Sequence, residues 1–257
     1  MNFSLAIDDI LAEELCKFRV NQQCDIDMVE RTLHYYKGYP IFTKGYFDKY
    51  YTDKNIQRNL AQSNSSITWD SIETISKGTI YKVILSSQKN VNFPYISIYD
   101  DKIENNFTAT FLSRESRQKA IDHLKDLLSN AVKILVYDNY LLQPDRNGQF
   151  NNWQSFIQFC SLLLPRKSLN IKYLQQISPA RNNSNYTIYQ NSQQDIANIC
   201  QNWSWSIVST QPNTYSHDRY LIINNGHSKI EIIFTSGIRH LMNNSKDFTY
   251  IVRRHKQ

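Results

Sequence analysis

The stretch of sequence that decides the fold is SHDRYLIINNGHSKIEIIFTSG, residues 216–237. It contains two runs rich in β-branched and aromatic residues, 217–224 and 229–235, and such runs predict strands. Successive side chains of a strand point to opposite faces, so His217 and Arg219 are expected to project together from one face of the first strand. A histidine and a cation are thus placed side by side.

The residues on either side of this stretch alternate between strand and helix patterns. Counted from residue 131, the predicted order is β-α-β-α-β-β-β-α-β, which is typical of an α/β domain in which helices cover a sheet. The predicted strands are 131–141, 168–177, 204–210, 217–224, 229–235 and 247–252, and the predicted helices are 151–164, 193–203 and 237–243.

An amphipathic helix at 113–130 precedes these elements and opens the predicted carboxyl-terminal domain, residues 113–257. Ser113 is its expected N-cap, with Ser116 as the alternative, and His123 is expected on its surface. Residues 1–112 are predicted to form a separate α+β region. Its expected helices are 4–20 and 26–36, and its expected strands are 79–85, 95–99 and 107–112.

The composition excludes several classes of protein. The chain has 257 residues, of which 41% are hydrophobic and 13% aromatic, and its formal net charge is +6. The mean hydropathy of −0.53 excludes a membrane-embedded protein, and the aromatic content excludes global disorder. Neither a secretory signal nor a transmembrane run is found, which predicts a cytoplasmic location. The four cysteines form no C-x-x-C pair, so reduced thiols are predicted, with no metal and no cofactor.

The segments Ser216–Asn224 and Ile233–Gly237 together resemble the phospholipase D superfamily, whose half-motif is His-x-Lys-x4-Asp followed by Gly-Ser-x-Asn. The resemblance covers residues 120–253 and implies a mixed sheet flanked by helices. In this sequence the histidine of the motif is His217, the lysine is Arg219, the aspartate is Asn224 and the serine is Ser236. The sequence departs from the motif at Asn224, at Thr235 in place of glycine, and at Ile238 in place of asparagine.

The resemblance implies a metal-independent phosphodiesterase. In such a site His217 would attack phosphorus and form a phosphohistidine, while Arg219, Ser236 and Asn224 would bind the phosphoryl oxygens. Only one copy of the motif is present, whereas the family's sites use two. The resemblance therefore implies a homodimer in which each subunit contributes His217. A His-Asp-Arg form of the motif is similar to that of bacterial defence and mobile-element proteins, which suggests an antiphage nuclease.

The distribution of charge agrees with a phosphate ligand. Residues 214–257 carry an excess of four positive charges, which suits a polyanion such as nucleic acid. Arg239, Lys246 and Lys229 are therefore candidate phosphate-binding residues. A second basic segment interleaves tyrosines with lysines at 37–54 and is a candidate surface for nucleic acid. Residues 1–112 as a whole are a candidate region for binding a protein partner or substrate.

Three alternatives remain open at the level of sequence. The His-Asp-Arg form is also similar to the phospholipase-D-like domain that follows MIT domains, which implies a non-catalytic module binding phosphate, nucleic acid or anionic lipid. In the second alternative, the fold serves only as a scaffold subunit of a larger complex. In the third, His217 simply caps a strand, and Asp218 and Arg219 form a surface ion pair of little energetic value.

Overall fold

A computed structural model describes residues 3–35, 40–43, 45, 71–99, 107–176, 189–210, 219–226 and 228–255. The chain forms two compact units, Met1–Phe107 and Thr108–Gln257. The sequence predicts a division after residue 112 instead. The difference arises because the strand Phe107–Phe111, assigned by its sequence pattern to the amino-terminal region, is hydrogen-bonded into the sheet of the second unit.

The first unit contains a four-stranded sheet in which the described neighbouring strands are all parallel. Its strands are β1 (Leu5–Ile7), β2 (Pro40–Ile41), β3 (Ile84–Ser86) and β4 (Tyr95–Ser97), and their order in the sheet is β2-β1-β3-β4. The described helices of this unit are α1 (Asp9–Arg19), α2 (Ile26–Tyr35) and α3 (Ile72–Lys77). Phe3, Ala6, Ile41, Ile75 and Ile84 form one of its buried clusters.

The prediction of a single helix over 4–20 is wrong at its start. Residues Leu5–Ile7 form a buried strand, and Asp8 ends that strand by capping α1. The Oδ1 atom of Asp8 accepts the N–H of Leu11 at 2.8 Å, and its Oδ2 atom accepts the backbone N–H of Ser87 at 2.8 Å. One aspartate therefore separates strand from helix and ties both to the end of β3.

The second unit contains a seven-stranded sheet with the order β5-β11-β10-β9-β6-β7-β8. The pairs β6–β7 and β7–β8 are parallel, whereas β6–β9, β9–β10 and β10–β11 are antiparallel. The strands are β5 (Phe107–Phe111), β6 (Lys133–Tyr137), β7 (Leu169–Gln176), β8 (Trp203–Thr210), β9 (Arg219–Asn224), β10 (Lys229–Phe234) and β11 (Phe248–Arg254). The helices are α4 (Gln118–Leu128), α5 (Asn151–Leu163), α6 (Ser192–Ile199) and α7 (Ile238–Met242). The predicted mixed sheet flanked by helices is confirmed, and so is the order of elements from residue 131.

Helix α4 differs from its prediction in two respects. It begins at Gln118, and the preceding Arg117 makes no side-chain capping bond, so neither Ser113 nor Ser116 is the N-cap. His123 is buried instead of exposed, because it lies one turn after Ala120 on the apolar face. Its Nδ1 atom lies 2.7 Å from the hydroxyl oxygen of Tyr250 on β11. This hydrogen bond satisfies a polar ring in the core.

The four cysteines are free: Cys16 and Cys160 are buried, and Cys24 and Cys200 are half-buried. Burial raises the pKa of the Cys160 thiol well above its ordinary value. Within the described parts of the chain, no helix combines the length and the apolar character needed to cross a bilayer. The same residues contain no group of three or more His, Cys, Asp or Glu placed to hold a metal ion.

Candidate functional site

Four strands of the second unit begin or end at one end of the seven-stranded sheet. Strand β6 ends at Tyr137, β9 begins at Arg219, β10 ends at Phe234 and β11 begins at Phe248. Tyr137 pairs with Tyr220, so the antiparallel register continues to bring Asp138 opposite Arg219. We call this the cationic end of the sheet, defined by Arg219, Arg239, His240 and Lys246 with their neighbours Asp138, Ser236 and Gly237.

Arg219 is held by an ion pair and an aromatic contact. Its Nε atom lies 3.3 Å from Oδ2 of Asp138, and its guanidinium carbon lies 5.8 Å from the ring centroid of Tyr140. The Arg219 side chain remains 25% exposed, whereas that of Asp138 is only 6% exposed. One side of the guanidinium is therefore engaged by protein while part of it remains open to solvent.

Asp138 is the residue of the cationic end that the sequence did not identify. Burial raises the pKa of its carboxyl above the ordinary value, and the charge of Arg219 acts in the opposite direction. Its Oδ1 atom accepts the backbone N–H of Tyr140 at 2.9 Å. The available signal was an aspartate directly after a buried strand, because such a position places a carboxylate at the end of a sheet.

Gly237 provides the close approach that Arg219 requires. Its φ of +85° lies in the region that favours glycine, and a Cβ atom there would lie 3.0 Å from both Cζ and Nε of Arg219. A side chain at position 237 would therefore press directly on the guanidinium group. Gly237, the glycine that follows Ser236 in this sequence, thus has a steric role in shaping the site.

Ser236 lies next to this glycine, and its hydroxyl is engaged by the backbone. The Oγ atom donates to the carbonyl oxygen of Asp247 at 3.0 Å. The bond joins the turn after β10 to the start of β11. To donate a hydrogen bond to a phosphate, the Ser236 hydroxyl would first have to leave this carbonyl.

Helix α7 and the turn after it bring further positive charge to the same end. The pKa of His240 is lowered, first by burial and then by the charges of Lys246, Arg239, Arg219 and Arg117. Its Nδ1 atom is buried and has no hydrogen-bond partner among the described residues. Arg239 and Lys246 are exposed, so both are available to an anion arriving from solvent.

Two predicted site residues, Asn224 and Lys229, lie at the opposite end of the sheet. Asn224 ends β9, Lys229 begins β10, and the two are paired in register. Five residue steps of a strand separate Asn224 from Arg219, which is about 17 Å. The side chain of Asn224 accepts the backbone N–H of Gly226 at 2.8 Å, as is typical of a turn. The expectation that both residues join Arg219 at one phosphate site is therefore corrected.

His217 and Asp218 lie outside the described residues, and so do the lysines and tyrosines of the segment 37–54. The expected surface ion pair between Asp218 and Arg219 is likewise outside them. Of the predicted site residues that the structure describes, it brings together Arg219, Ser236, Arg239 and Lys246. Three of these residues, Arg219, Arg239 and Lys246, are close enough for their charges to act on the same half-buried His240 side chain, and such a cluster of cations suits phosphate binding.

The second unit is thus an α/β domain whose mixed sheet carries a cationic end. No protein-family model and no curated protein sequence matches this chain. Among solved structures, it is similar to polyphosphate kinase from Porphyromonas gingivalis, with 10% identity and a TM-score of 0.33 over 58% of this chain and 21% of that chain. It is also similar to yeast tyrosyl-DNA phosphodiesterase, with 10% identity and a TM-score of 0.27 over 58% of this chain and 33% of that one.

The chain spans a fifth to a third of the lengths of these two proteins.

Proposed function

We propose that the second unit is a metal-independent phosphodiesterase that acts on nucleic acid in the cytoplasm, with its phosphate site at the cationic end. The observation that carries this proposal is the fixed guanidinium of Arg219, two residues after His217 in sequence. Asp138 and Gly237 define where the guanidinium lies, and Arg219, Arg239 and Lys246 all act on the nearby His240 through their charges. Arginine in such a position suits the planar hydrogen bonding of phosphate.

The proposed reaction has two steps. In the first, the neutral imidazole of His217 forms a bond to phosphorus, and the bond from phosphorus to the departing ester oxygen breaks. A proton reaches that oxygen from His217 of a second copy of the chain in a symmetric dimer. In the second step, water attacks phosphorus, the nitrogen–phosphorus bond breaks, and the second histidine takes the proton from water. Arg219 and Arg239 oppose the negative charge that develops on the phosphoryl oxygens.

A second candidate function, non-catalytic phosphate binding, is favoured by two contacts. The charge of Arg219 is shared with Asp138, and the hydroxyl of Ser236 is bonded to a backbone carbonyl. Both contacts reduce the assistance that the site can give to a transition state while leaving Arg239 and Lys246 free to hold a phosphate.

One experiment separates these functions. Single- and double-stranded DNA and RNA are incubated with the protein in EDTA, alongside His217→Ala, Arg219→Lys and Lys229→Ala. Cleavage that persists in EDTA, disappears in His217→Ala and survives in Lys229→Ala supports the phosphodiesterase. Lys229→Ala is the matched control, because it removes a cation from the opposite end of the same sheet.

Absence of cleavage, together with phosphate binding that is weakened by Arg239→Ala, would establish the binding function instead. Size determination in solution tests the dimer independently, since the proposed proton donor belongs to a second copy. The antiphage role is tested by plaque counts on bacteria that express the wild type or His217→Ala. Equal plaque numbers would contradict that role.

A further inference from the structure

A groove of about 610 Å³ lies beside helix α5, and none of the residues that line it belongs to the cationic end. Its volume falls in the range of about 300–1,000 Å³ that is typical of sites for small ligands. The wall is apolar and aromatic, and a few amide and carboxylate groups converge on it. The residues that line it include Gln149, Phe150, Gln154, Ile157, Tyr189 and Asp195.

Asp195 is the charged group of the groove, and its orientation is fixed by two donors. The indole N–H of Trp153 and the hydroxyl of Tyr189 both donate to Oδ2 of Asp195, each at 2.8 Å. Among the described residues, no hydrogen bond is made by the other carboxylate oxygen, Oδ1. The groove therefore presents a pre-oriented acceptor to whatever enters it.

The aromatic wall is rigid as well. The rings of Phe150 and Tyr189 lie 4.9 Å apart, and those of Trp153 and Tyr189 lie 5.8 Å apart. Trp205 on β8 supports the ring of Trp153 from behind at 5.3 Å. A planar ligand would meet the half-buried rings of Phe150 and Tyr189, whose contacts with each other and with the buried ring of Trp153 limit the reorganisation needed to receive it.

The turn after β6 links this groove to the cationic end. Tyr140 in that turn contacts the guanidinium of Arg219, and its carbonyl oxygen accepts the side-chain amide of Asn152 at the start of α5. Two residues further along, the carbonyl oxygen of Leu142 accepts the backbone N–H of Tyr189 at 3.0 Å. One short turn thus contacts both the arginine of the phosphate site and the aromatic wall of the groove.

We propose that the groove binds one unstacked nucleobase, carrying an exocyclic amino group, of a nucleic acid strand whose phosphate occupies the cationic end. The inference rests on the proposed function, because it takes the phosphate site as given. Asp195 accepts a hydrogen bond from the amino group of guanine, adenine or cytosine, and the aromatic wall packs against the face of the base. The groove selects the base, and the cationic end holds the backbone.

The alternatives fit the groove less well. A phosphate would meet the negative charge of Asp195, so a second backbone contact is disfavoured. Uracil and thymine lack an exocyclic amino group and present a carbonyl oxygen where cytosine carries one. Their single donor on this edge, the ring N3–H, is flanked by two carbonyl oxygens that repel the Asp195 carboxylate. The groove should therefore discriminate against these two bases.

Nucleosides test the groove without engaging the phosphate site. The chain has four tryptophans, and the indole N–H signal of Trp153 in a nitrogen–proton NMR spectrum reports directly on Asp195. Guanosine, adenosine and cytidine should shift this signal saturably, and uridine should shift it at least about tenfold less at equal concentration. The indole of Trp203, which donates to the carbonyl oxygen of Pro165, should not move.

Asp195→Asn provides the decisive variant. The donors of Trp153 and Tyr189 hold the amide oxygen where Oδ2 stood, so the amide nitrogen faces the groove and replaces an acceptor with a donor. The preference should then invert, with uridine binding more tightly than adenosine. A misfolded protein cannot gain a new preference. Gln194→Ala is the control, because Gln194 is exposed on the same helix and bonds only to Asn198 in the described structure.

Two results would overturn the inference: equal shifts with uridine and adenosine, or an unchanged preference in Asp195→Asn. Titration with inorganic phosphate and the cleavage assay in EDTA report on the cationic end alone. Nucleoside binding without phosphate binding or cleavage would remove the proposed function and leave the groove as a base site. Phosphate binding without nucleoside binding would remove the base site and leave the proposed function in place.

Discussion

Arg219 owes its position to three residues that lie at least 18 positions away from it in the sequence, in the turns after two other strands. Asp138 pairs with its guanidinium, Tyr140 lies against it, and Gly237 leaves the space that it fills. Arginine carries a flat fork of donors, so a small displacement changes which oxygens it can reach. The surroundings of Arg219, more than its presence, therefore determine how a phosphate would be held.

Gly237→Ala tests this steric role. The backbone strain of a positive φ should cost about 1–3 kcal/mol of unfolding free energy, measured by urea denaturation. The new methyl group should also displace Arg219, seen as a shift of its Nε–H NMR signal and as weaker phosphate binding. Gly226→Ala is the matched control, because Gly226 has a φ of +90° with no atom within 4 Å of the added Cβ. Equal effects of the two variants on the Arg219 signal would contradict the prediction.

Asp138→Asn tests the buried carboxyl through pH. The pKa of Asp138 is raised above its ordinary value of 3.8, so the folded protein holds this proton more tightly than the unfolded chain does. Its contribution to stability is complete below pH 3.8 and is lost as pH rises through the folded pKa. The stability of wild type relative to Asp138→Asn, measured by urea unfolding, should therefore decline as pH rises.

Asp145→Asn gives the opposite sign and serves as the control. The pKa of Asp145 is lowered, mainly by the backbone N–H groups of Gln149 and Asn147. Its contribution is present above pH 3.8 and is lost as pH falls through the lowered pKa. Profiles of the two variants that run in the same direction would rule out the assignment of Asp138.

At the scale of elements, Arg117 joins the turn before α4 to the turn before β11. It is buried, and its guanidinium donates to the carbonyl oxygens of Leu112, Glu115, His240 and Lys246. The rings of Phe111 and Phe248 lie within 6.0 Å of its guanidinium carbon. The backbone N–H of Arg114 adds a bond to Asn244 at 2.7 Å. This network fixes the segment that carries Lys246 and the end of α7.

Arg117→Lys should destabilise the second unit by about 2–4 kcal/mol, because one ammonium group cannot replace a fork that reaches four carbonyls. Hydrogen exchange should accelerate first at the amides of Ser113 and Arg114. Arg114→Lys makes the same chemical change on an exposed side chain and should leave stability within about 0.5 kcal/mol. Comparable losses in both variants would show that the buried network is not the cause.

The sequence predicts the elements after residue 131 well because each has a strong periodic pattern bounded by polar turns. It fails at Leu5–Ile7, where a three-residue strand continues the apolar spacing of the helix and only the capping by Asp8 separates them. It also fails at His123, because a titratable residue on the apolar stripe is buried only when a partner such as Tyr250 is present. Local patterns do not contain that partner.

The same reason limits prediction of the site. The sequence motif identifies Arg219 and Ser236, which lie near one another along the chain. Asp138 meets Arg219 only because β9 lies beside β6, and no local pattern encodes that neighbour relation. Conversely, Asn224 belongs to the motif and Lys229 follows five residues later, yet the length of β9 carries both to the other end of the sheet.

At the scale of the whole molecule, each compact unit contains its own sheet, so each is expected to unfold as a separate transition in calorimetry. Ile75→Ala leaves a cavity in the first unit, where Ile75 is 0% exposed. Ile134→Ala leaves one in the second unit, where Ile134 is 2% exposed. Each should cost about 2–5 kcal/mol and lower the temperature of only one transition. A single transition that both variants move would show that the two units unfold together.

Phosphate should raise the temperature of the transition that Ile134→Ala lowers and leave the other unchanged, since a ligand stabilises the unit to which it binds. This test uses the full chain and needs no cleavage. A phosphate shift of the other transition would place the anion site in the first unit instead.

In the sheet of the second unit, the first strand in chain order, β5, lies beside the last described strand, β11. During translation, Phe107–Phe111 leaves the ribosome well before its neighbour Phe248–Arg254 is synthesised. Until then the nascent chain must keep that strand without its partner, and the synthesis of Phe248–Arg254 completes the sheet. A premature stop before residue 248 would therefore leave an unpaired strand near the amino end of the unit as well as removing the last one, and such exposed strands favour aggregation.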